Sequence, residues 1–129
     1  DGVLWVNDSK ATNVSATASA LASLRRPAVV LLGGKDKGED FSPLIPLLRE
    51  HARVVLTFGA SGARLAEAVS GVAPVERMGT DFEAVVARAH GLAKPGDVVL
   101  LSPACSRFDM FDSYEHRGDR FSTLVGEGV

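Results

Sequence analysis

Short apolar runs alternate with longer amphipathic stretches along the whole chain, and this alternation restricts the possible folds more than any other feature. Residues 28–32 and 98–101 are unbroken apolar runs. Such runs suit strands buried on both faces, as in a parallel sheet covered by helices. Residues 3–6 and 54–58 read as further strands, and residues 75–77 as a short one near an edge. Between them the pattern predicts helices. One covers residues 14–24, with Thr12 or Asn13 as cap and Val14, Ala18, Leu21 and Ala22 on one face. A second opens at Ser42, with Pro43 in its first turn, and runs to about His51. A third covers about residues 63–69. A fourth starts at the capping-box spacing of Thr80 and Glu83 and runs to about Ala89. A last one spans about residues 113–125, weakened by Gly118. The expected fold is α/β: a Rossmann-like three-layer domain, with a mostly parallel sheet of about five or six strands and helices on both faces.

The 129 residues suit one domain, able to bury a core without staples. Fourteen Lys and Arg against sixteen Asp and Glu leave a net charge of −2, which is not the footprint of a nucleic-acid binder. No basic run marks a lipid-facing surface, and the run at residues 28–32 is far too short to span a bilayer. One cysteine, Cys105, excludes an intramolecular disulfide and points to a reducing compartment. The first residues read as the start of a strand, not as a signal peptide.

In open α/β sheets, ligands sit at the carboxyl ends of the strands. Three polar loops follow strands here. Asp8-Ser9-Lys10-Ala11-Thr12-Asn13 precedes a helix N-terminus, whose N–H groups attract anions. It reads equally as a capped helix beside a solvated lysine. Gly33-Gly34-Lys35-Asp36-Lys37-Gly38 lacks both the Gly-Lys-Ser/Thr ending of a P-loop and the spacing of a dinucleotide fingerprint. Its two lysines between glycines can present an ammonium to a carboxylate, though a Gly-Gly turn is often only a turn. The third loop covers residues 102–109. Cys105 within it reads as a small buried hydrophobe, not a nucleophile. His51 and His90 lie toward helix ends facing solvent, and His116 lies in the last helix. None has metal-ligand spacing, so no metal site is expected within the chain.

Those three loops also carry a resemblance. Residues 8–13, residues 32–41, and residues 101–111 with Tyr114-Glu115-His116-Arg117-Gly118 and Phe121 resemble, in order, the C-terminal domain of the Mur ligases. They are most similar to the members that add D-glutamate, and the resemblance covers essentially the whole chain. It implies that residues 1–129 are the amino-acid-binding domain of a bacterial, cytoplasmic ligase. The UDP-binding and ATP-binding domains would lie outside the chain, and ATP and Mg²⁺ would be held mainly by the central domain. The implied reaction adds D-glutamate to UDP-N-acetylmuramoyl-L-alanine through an acyl phosphate, in peptidoglycan synthesis.

The resemblance also assigns roles. Lys37 would bind a D-glutamate carboxylate, with a hydroxyl from Thr12. Lys10 would act catalytically, between the glutamate and the nucleotide phosphate. Asp8 would contact the nucleotide, at its ribose. The backbone around Tyr114 and a hydroxyl of the last loop would hold the second carboxylate. Where the family places its glutamate-binding serine, this sequence has Arg107. Either Ser106 substitutes for it, or Arg107 itself pairs with the carboxylate. The domain is expected to swing over the central one about a hinge just before Asp1, and to be inactive alone. The alternatives are another Mur-type or folylpolyglutamate-type ligase domain, or a non-catalytic α/β binding module. The Asn-Pro-Arg motif of the diamino-acid-adding member is absent. The lysine-rich rim argues against a receiver-like module, which needs clustered acidic residues.

Overall fold

The computed structural model describes residues 2–8, 10–34, 38–105 and 114–128. In chain order the elements are β1 (Leu4–Asn7), α1 (Val14–Ala22), β2 (Ala28–Gly33), a 3-10 turn (Ser42–Leu44) leading into α2 (Ile45–His51), β3 (Ala52–Phe58), α3 (Gly62–Ala68), β4 (Val75–Arg77), α4 (Phe82–Leu92), β5 (Val98–Ala104) and α5 (Tyr114–Gly128). The five strands form one sheet in the order β1-β5-β2-β3-β4, and every pairing is parallel. The short β4 lies at an edge, as expected.

Alternation along the central strands divides the core into two layers. Val30 and Leu32 of β2, Val55 of β3 and Leu100 of β5 face α1, α2 and α3. Val29 and Leu31, Leu56 and Phe58, and Val99 and Leu101 face α4 and α5. Each fully buried Leu or Val contributes roughly 1.5–3 kcal/mol, so burial on both faces requires the unbroken apolar runs. Helix α4 packs Phe82, Val85, Val86 and Ala89 on the sheet. Phe82, Phe58 and Phe121 form tilted aromatic pairs within this second layer.

Several local expectations change. Helix α1 ends at Ala22, and Asn13 caps it, accepting from the Ala16 amide at 2.8 Å. Its buried face carries Thr17 beside Val14 and Leu21, whereas Ala22 is exposed. Ser42 does not cap a helix: the Asp40 carboxylate takes both its amide (2.9 Å) and its hydroxyl (2.8 Å). Those two bonds hold Asp40 below the ordinary aspartate pKa. Asp81, not Thr80, caps α4 through the Ala84 amide at 3.3 Å. At Ser42 and Thr80 an Asp carboxylate one or two residues away reaches the N–H groups instead, whereas Asn13 is one of the two caps expected for α1. His51 is only 16% exposed, beside Glu50, and His90 stacks on Trp5. His51 is thus largely covered, where solvent exposure was expected, whereas His90 is exposed, as expected.

Candidate functional site

The sheet order decides where the polar loops meet. β1, β5 and β2 are consecutive neighbours, so the loops after them leave adjacent strand ends. Neighbouring strands lie about 4.8 Å apart, so the three ends span roughly 10 Å, the scale of a small amino acid. Helix α5 also reaches this rim. Asn7, at the end of β1, donates to the Gly118 carbonyl at 2.9 Å, while Trp5, lower in β1, meets Phe121. The helix therefore runs antiparallel to β1, and Tyr114 stands one turn above Gly118 at the rim.

Asp8 is held at three atoms. Its amide donates to the Leu101 carbonyl at 2.8 Å, and its own carbonyl accepts from the Ala11 amide at 2.9 Å. Its carboxylate accepts from the Ser102 hydroxyl at 3.2 Å. The Ala11 carbonyl in turn accepts from the Ala104 amide at 2.9 Å, fastening the first loop to the last. Lys10 is exposed on this loop, and Thr12 is half-buried just before α1. Lys37, Ser106 and Arg107 lie outside the described residues. Tyr114 is placed by its backbone alone, as the first residue of α5.

The N-terminus of α1 is largely satisfied from within. Besides the Asn13 cap, the Val14 amide donates to the Glu39 carboxylate at 3.4 Å. Any anion at this rim therefore meets side chains before it meets that helix end. Glu39 also accepts, at its carbonyl, from Arg64 at 2.6 Å, and the Arg64 guanidinium lies over the Phe41 ring. The exit of the lysine-bearing loop is thus moored to α1 and to α3. Its entry is moored by glycine. A Cβ on Gly33 would stand 2.5 Å from the Phe58 ring and carbonyl. One on Gly59, at φ +75°, would stand 2.9 Å from the Gly34 amide nitrogen. The Gly34 carbonyl accepts from the Ser61 amide at 2.8 Å across this contact.

The third loop leaves β5 through an irregularity. Leu31 pairs with Leu101, but Gly33 pairs with Ala104, so β5 carries one extra residue there. Pro103, which cannot donate to a ladder, lies within it. Ala104 follows at φ +67°, an uncommon backbone for a residue with a Cβ. Cys105 is wholly buried in the core, as expected of a small hydrophobe. Among the described residues no three His, Cys, Asp or Glu side chains gather as metal ligands. No described helix is long and apolar enough to cross a membrane. An open cleft lined by Leu24, Arg25, Arg26 and His51 lies at the opposite pole, against the amino ends of the strands. That is the wrong end for a ligand of this fold class.

A family model described as Mur ligase, glutamate ligase domain, matches residues 1–105. The chain belongs to that family. Over 125 residues it is 50% identical to the UDP-N-acetylmuramoylalanine--D-glutamate ligase of Salinibacter ruber, covering 97% of this chain and 27% of that enzyme. It is 47% identical to the enzyme of that name from Bordetella pertussis, covering 95% of this chain and 24% of the relative. It is 43% identical to the Chlamydia caviae enzyme of that name, covering 98% and 30%. The chain therefore spans only about a quarter to a third of the length of these relatives.

As a Mur ligase glutamate ligase domain, the chain contains rim residues that sequence reasoning passed over. Thr17 and Ser102 are fully buried polar residues behind Asp8, and Arg117 is a buried arginine one turn into α5. The available signal for Thr17 was its position, one helical turn after Val14 on the face that also carries Leu21. For Ser102 it was a hydroxyl directly continuing the apolar run of β5. Glu39 and Arg64 carried no local signal, because each meets a partner 25 residues away.

Proposed function

We propose that this chain is the amino-acid-binding domain of an ATP-dependent ligase that adds D-glutamate to UDP-N-acetylmuramoyl-L-alanine in bacterial peptidoglycan synthesis. The observation that carries this reading is the 43–50% identity, over nearly the whole chain, to enzymes named for that reaction. The adjacency of the β1, β5 and β2 ends supports it, because a dicarboxylic amino acid needs cations and hydroxyls on a rigid frame of about that width.

In this reading Lys37 and Thr12 bind one D-glutamate carboxylate. The backbone at Tyr114, with Ser106 or Arg107, binds the other. Lys10 stands between the amino acid and the nucleotide phosphate, and Asp8 takes the nucleotide's ribose. ATP supplies the phosphoryl group that activates the carboxyl of the UDP substrate. Mg²⁺ and most of the nucleotide belong to the central domain of the full-length enzyme. Asp8, a half-buried carboxylate anchored at the rim, and Lys10, an exposed ammonium two residues on, suit the nucleotide edge chemically. The contribution of this chain is position and charge: it orients the attacking amine and stabilises developing negative charge.

The test uses the full-length ligase with UDP-N-acetylmuramoyl-L-alanine, ATP and a panel of D- and L-amino acids. D-glutamate should be the preferred substrate. Lys37→Ala should raise its KM by about 10–100-fold, the loss of one hydrogen bond to a charged group. Preference for another amino acid would retain the ligase and remove the substrate. Failure to ligate any amino acid would favour a binding module.

A further inference from the structure

We propose that Ser102 and Thr17 are positioning residues for Asp8: the Thr17 hydroxyl holds the Ser102 carbonyl, and the Ser102 hydroxyl holds the Asp8 carboxylate in register with the nucleotide edge of the site. The proposal rests on the reading of Asp8 as the nucleotide-side carboxylate.

The proton count at the two hydroxyls gives the arrangement a direction. The Thr17 hydroxyl donates to the Ser102 carbonyl at 3.0 Å, which commits its single proton. The Ser102 hydroxyl lies 3.2 Å from both the Thr17 hydroxyl and the Asp8 Oδ2 atom. It too has one proton to give. An ionised carboxylate is a stronger acceptor than a hydroxyl, so that proton goes to Asp8. Two groups with no access to solvent are thus ordered so that the free donor points outward, at the Asp8 carboxylate.

The surrounding backbone serves the same end. The Asp8 amide and carbonyl are both bonded, so the residue is fixed at three atoms. The extra residue in β5 and the positive φ of Ala104 turn the chain immediately after Ser102. Ser102 itself stays in the ladder direction that faces α1 and Thr17. Bulges next to sites commonly re-aim the chain in this way. A purely apolar pair at positions 17 and 102 would fill the same space at lower desolvation cost. Two buried hydroxyls ending on a rim carboxylate are explained by the need to orient it.

The test is a mutant cycle in the full-length ligase, reading KM for ATP separately from kcat and from thermal stability. Ser102→Ala and Thr17→Val should each raise KM for ATP by about 3–10-fold, the worth of one hydrogen bond. Thr17→Ser, which keeps the hydroxyl, should restore the wild-type value. Asp8→Asn should raise KM for ATP further. Adding Ser102→Ala to Asp8→Asn should then change nothing more, because the serine acts only through the aspartate. If Asp8→Asn raises KM for ATP while Ser102→Ala and Thr17→Val leave it unchanged, the positioning role is wrong and the reading of Asp8 survives. Full additivity in the double variant, or no difference between Thr17→Ser and Thr17→Val, also overturns the positioning role. If Asp8→Asn itself leaves KM for ATP unchanged, the nucleotide reading of Asp8 falls, and the proposal with it.

Discussion

Arg53 and Asp97 form a two-pronged ion pair beneath the sheet, with Nε and Nη2 of the arginine 2.7 and 2.9 Å from the two carboxylate oxygens. Arg53 stands near the start of β3, and Asp97 immediately precedes β5. The pair therefore crosses the foot of β2 at the pole away from the ligand rim. The Lys94 amide adds a third bond to Asp97 at 2.9 Å. Burial raises the pKa of Asp97, but the bonds from Arg53 and Lys94 outweigh it and hold the carboxyl below its ordinary value.

Asp97→Asn is expected to destabilise the fold by about 1–3 kcal/mol, the cost of buried bonding groups left with poorer partners. It should leave the KM for D-glutamate unchanged, because the rim lies at the other end of the strands. The pH dependence has a definite sign. A carboxyl whose folded pKa is depressed contributes stability above its unfolded value of about 4 and loses it as pH falls through the folded value. The stability gap between wild type and Asp97→Asn should thus be full at neutral pH and close in acid. Urea unfolding at pH 7 and pH 3 checks this. An equal gap at both values would show that the ion pair is not what the mutation removes.

Gly33 and Gly59 should not tolerate alanine. At Gly33 the added methyl meets the ring and carbonyl of Phe58; at Gly59 it meets the Gly34 backbone in a left-handed conformation. Each substitution should cost about 1–3 kcal/mol through overpacking or strain. Because both sites moor the loop that carries Lys37, either should also raise KM for D-glutamate in the full-length enzyme. Alanine at Gly71, where a methyl meets nothing within 4 Å but φ is +80°, provides the comparison. It should lose stability through strain alone and leave that KM unchanged.

Ala104 offers the opposite test. It is wholly buried in β5, where replacement by glycine ordinarily weakens a strand, yet its φ is +67°. Relief of a left-handed alanine offsets the loss of its methyl group. Ala104→Gly should therefore shift stability by less than about 1 kcal/mol, and Ala104→Val should destabilise far more. Thermal melts of the two variants decide it. A large loss with glycine would mean that packing, not backbone conformation, governs this position.

This chain on its own should turn over no ATP and ligate no amino acid. The three loops at its rim contain no P-loop, and the proposed reaction needs the nucleotide held on another domain. A phosphate-release assay on the purified chain, with and without D-glutamate, checks this. Sustained release would mean that the chain carries its own nucleotide site.

The local pattern of residues was enough to read the elements and the class of fold. Residues 28–32 and 98–101 had to be central strands, because nothing else buries such runs on both faces. The three residues of β4 had too little apolar surface for anything but an edge. The loops bearing Asp8, Lys10, Thr12 and Lys37 were legible because polar and glycine residues collect where strands end. Strand order was not legible: only the folded chain inserts β5 between β1 and β2 and so brings the first and last loops together. Caps were read to within one or two residues, since Asp40, Asn13 and Asp81 compete with neighbouring hydroxyls for the same amides and geometry settles the choice. The contacts of Ser102 with Thr17 and Asp8, of Glu39 with Val14 and of Arg53 with Asp97 join residues 25 to 94 positions apart. Secondary structure follows from local propensity and periodicity, which a sequence displays directly. A side-chain network depends on which strand ends become neighbours, and that is determined only when the whole core packs.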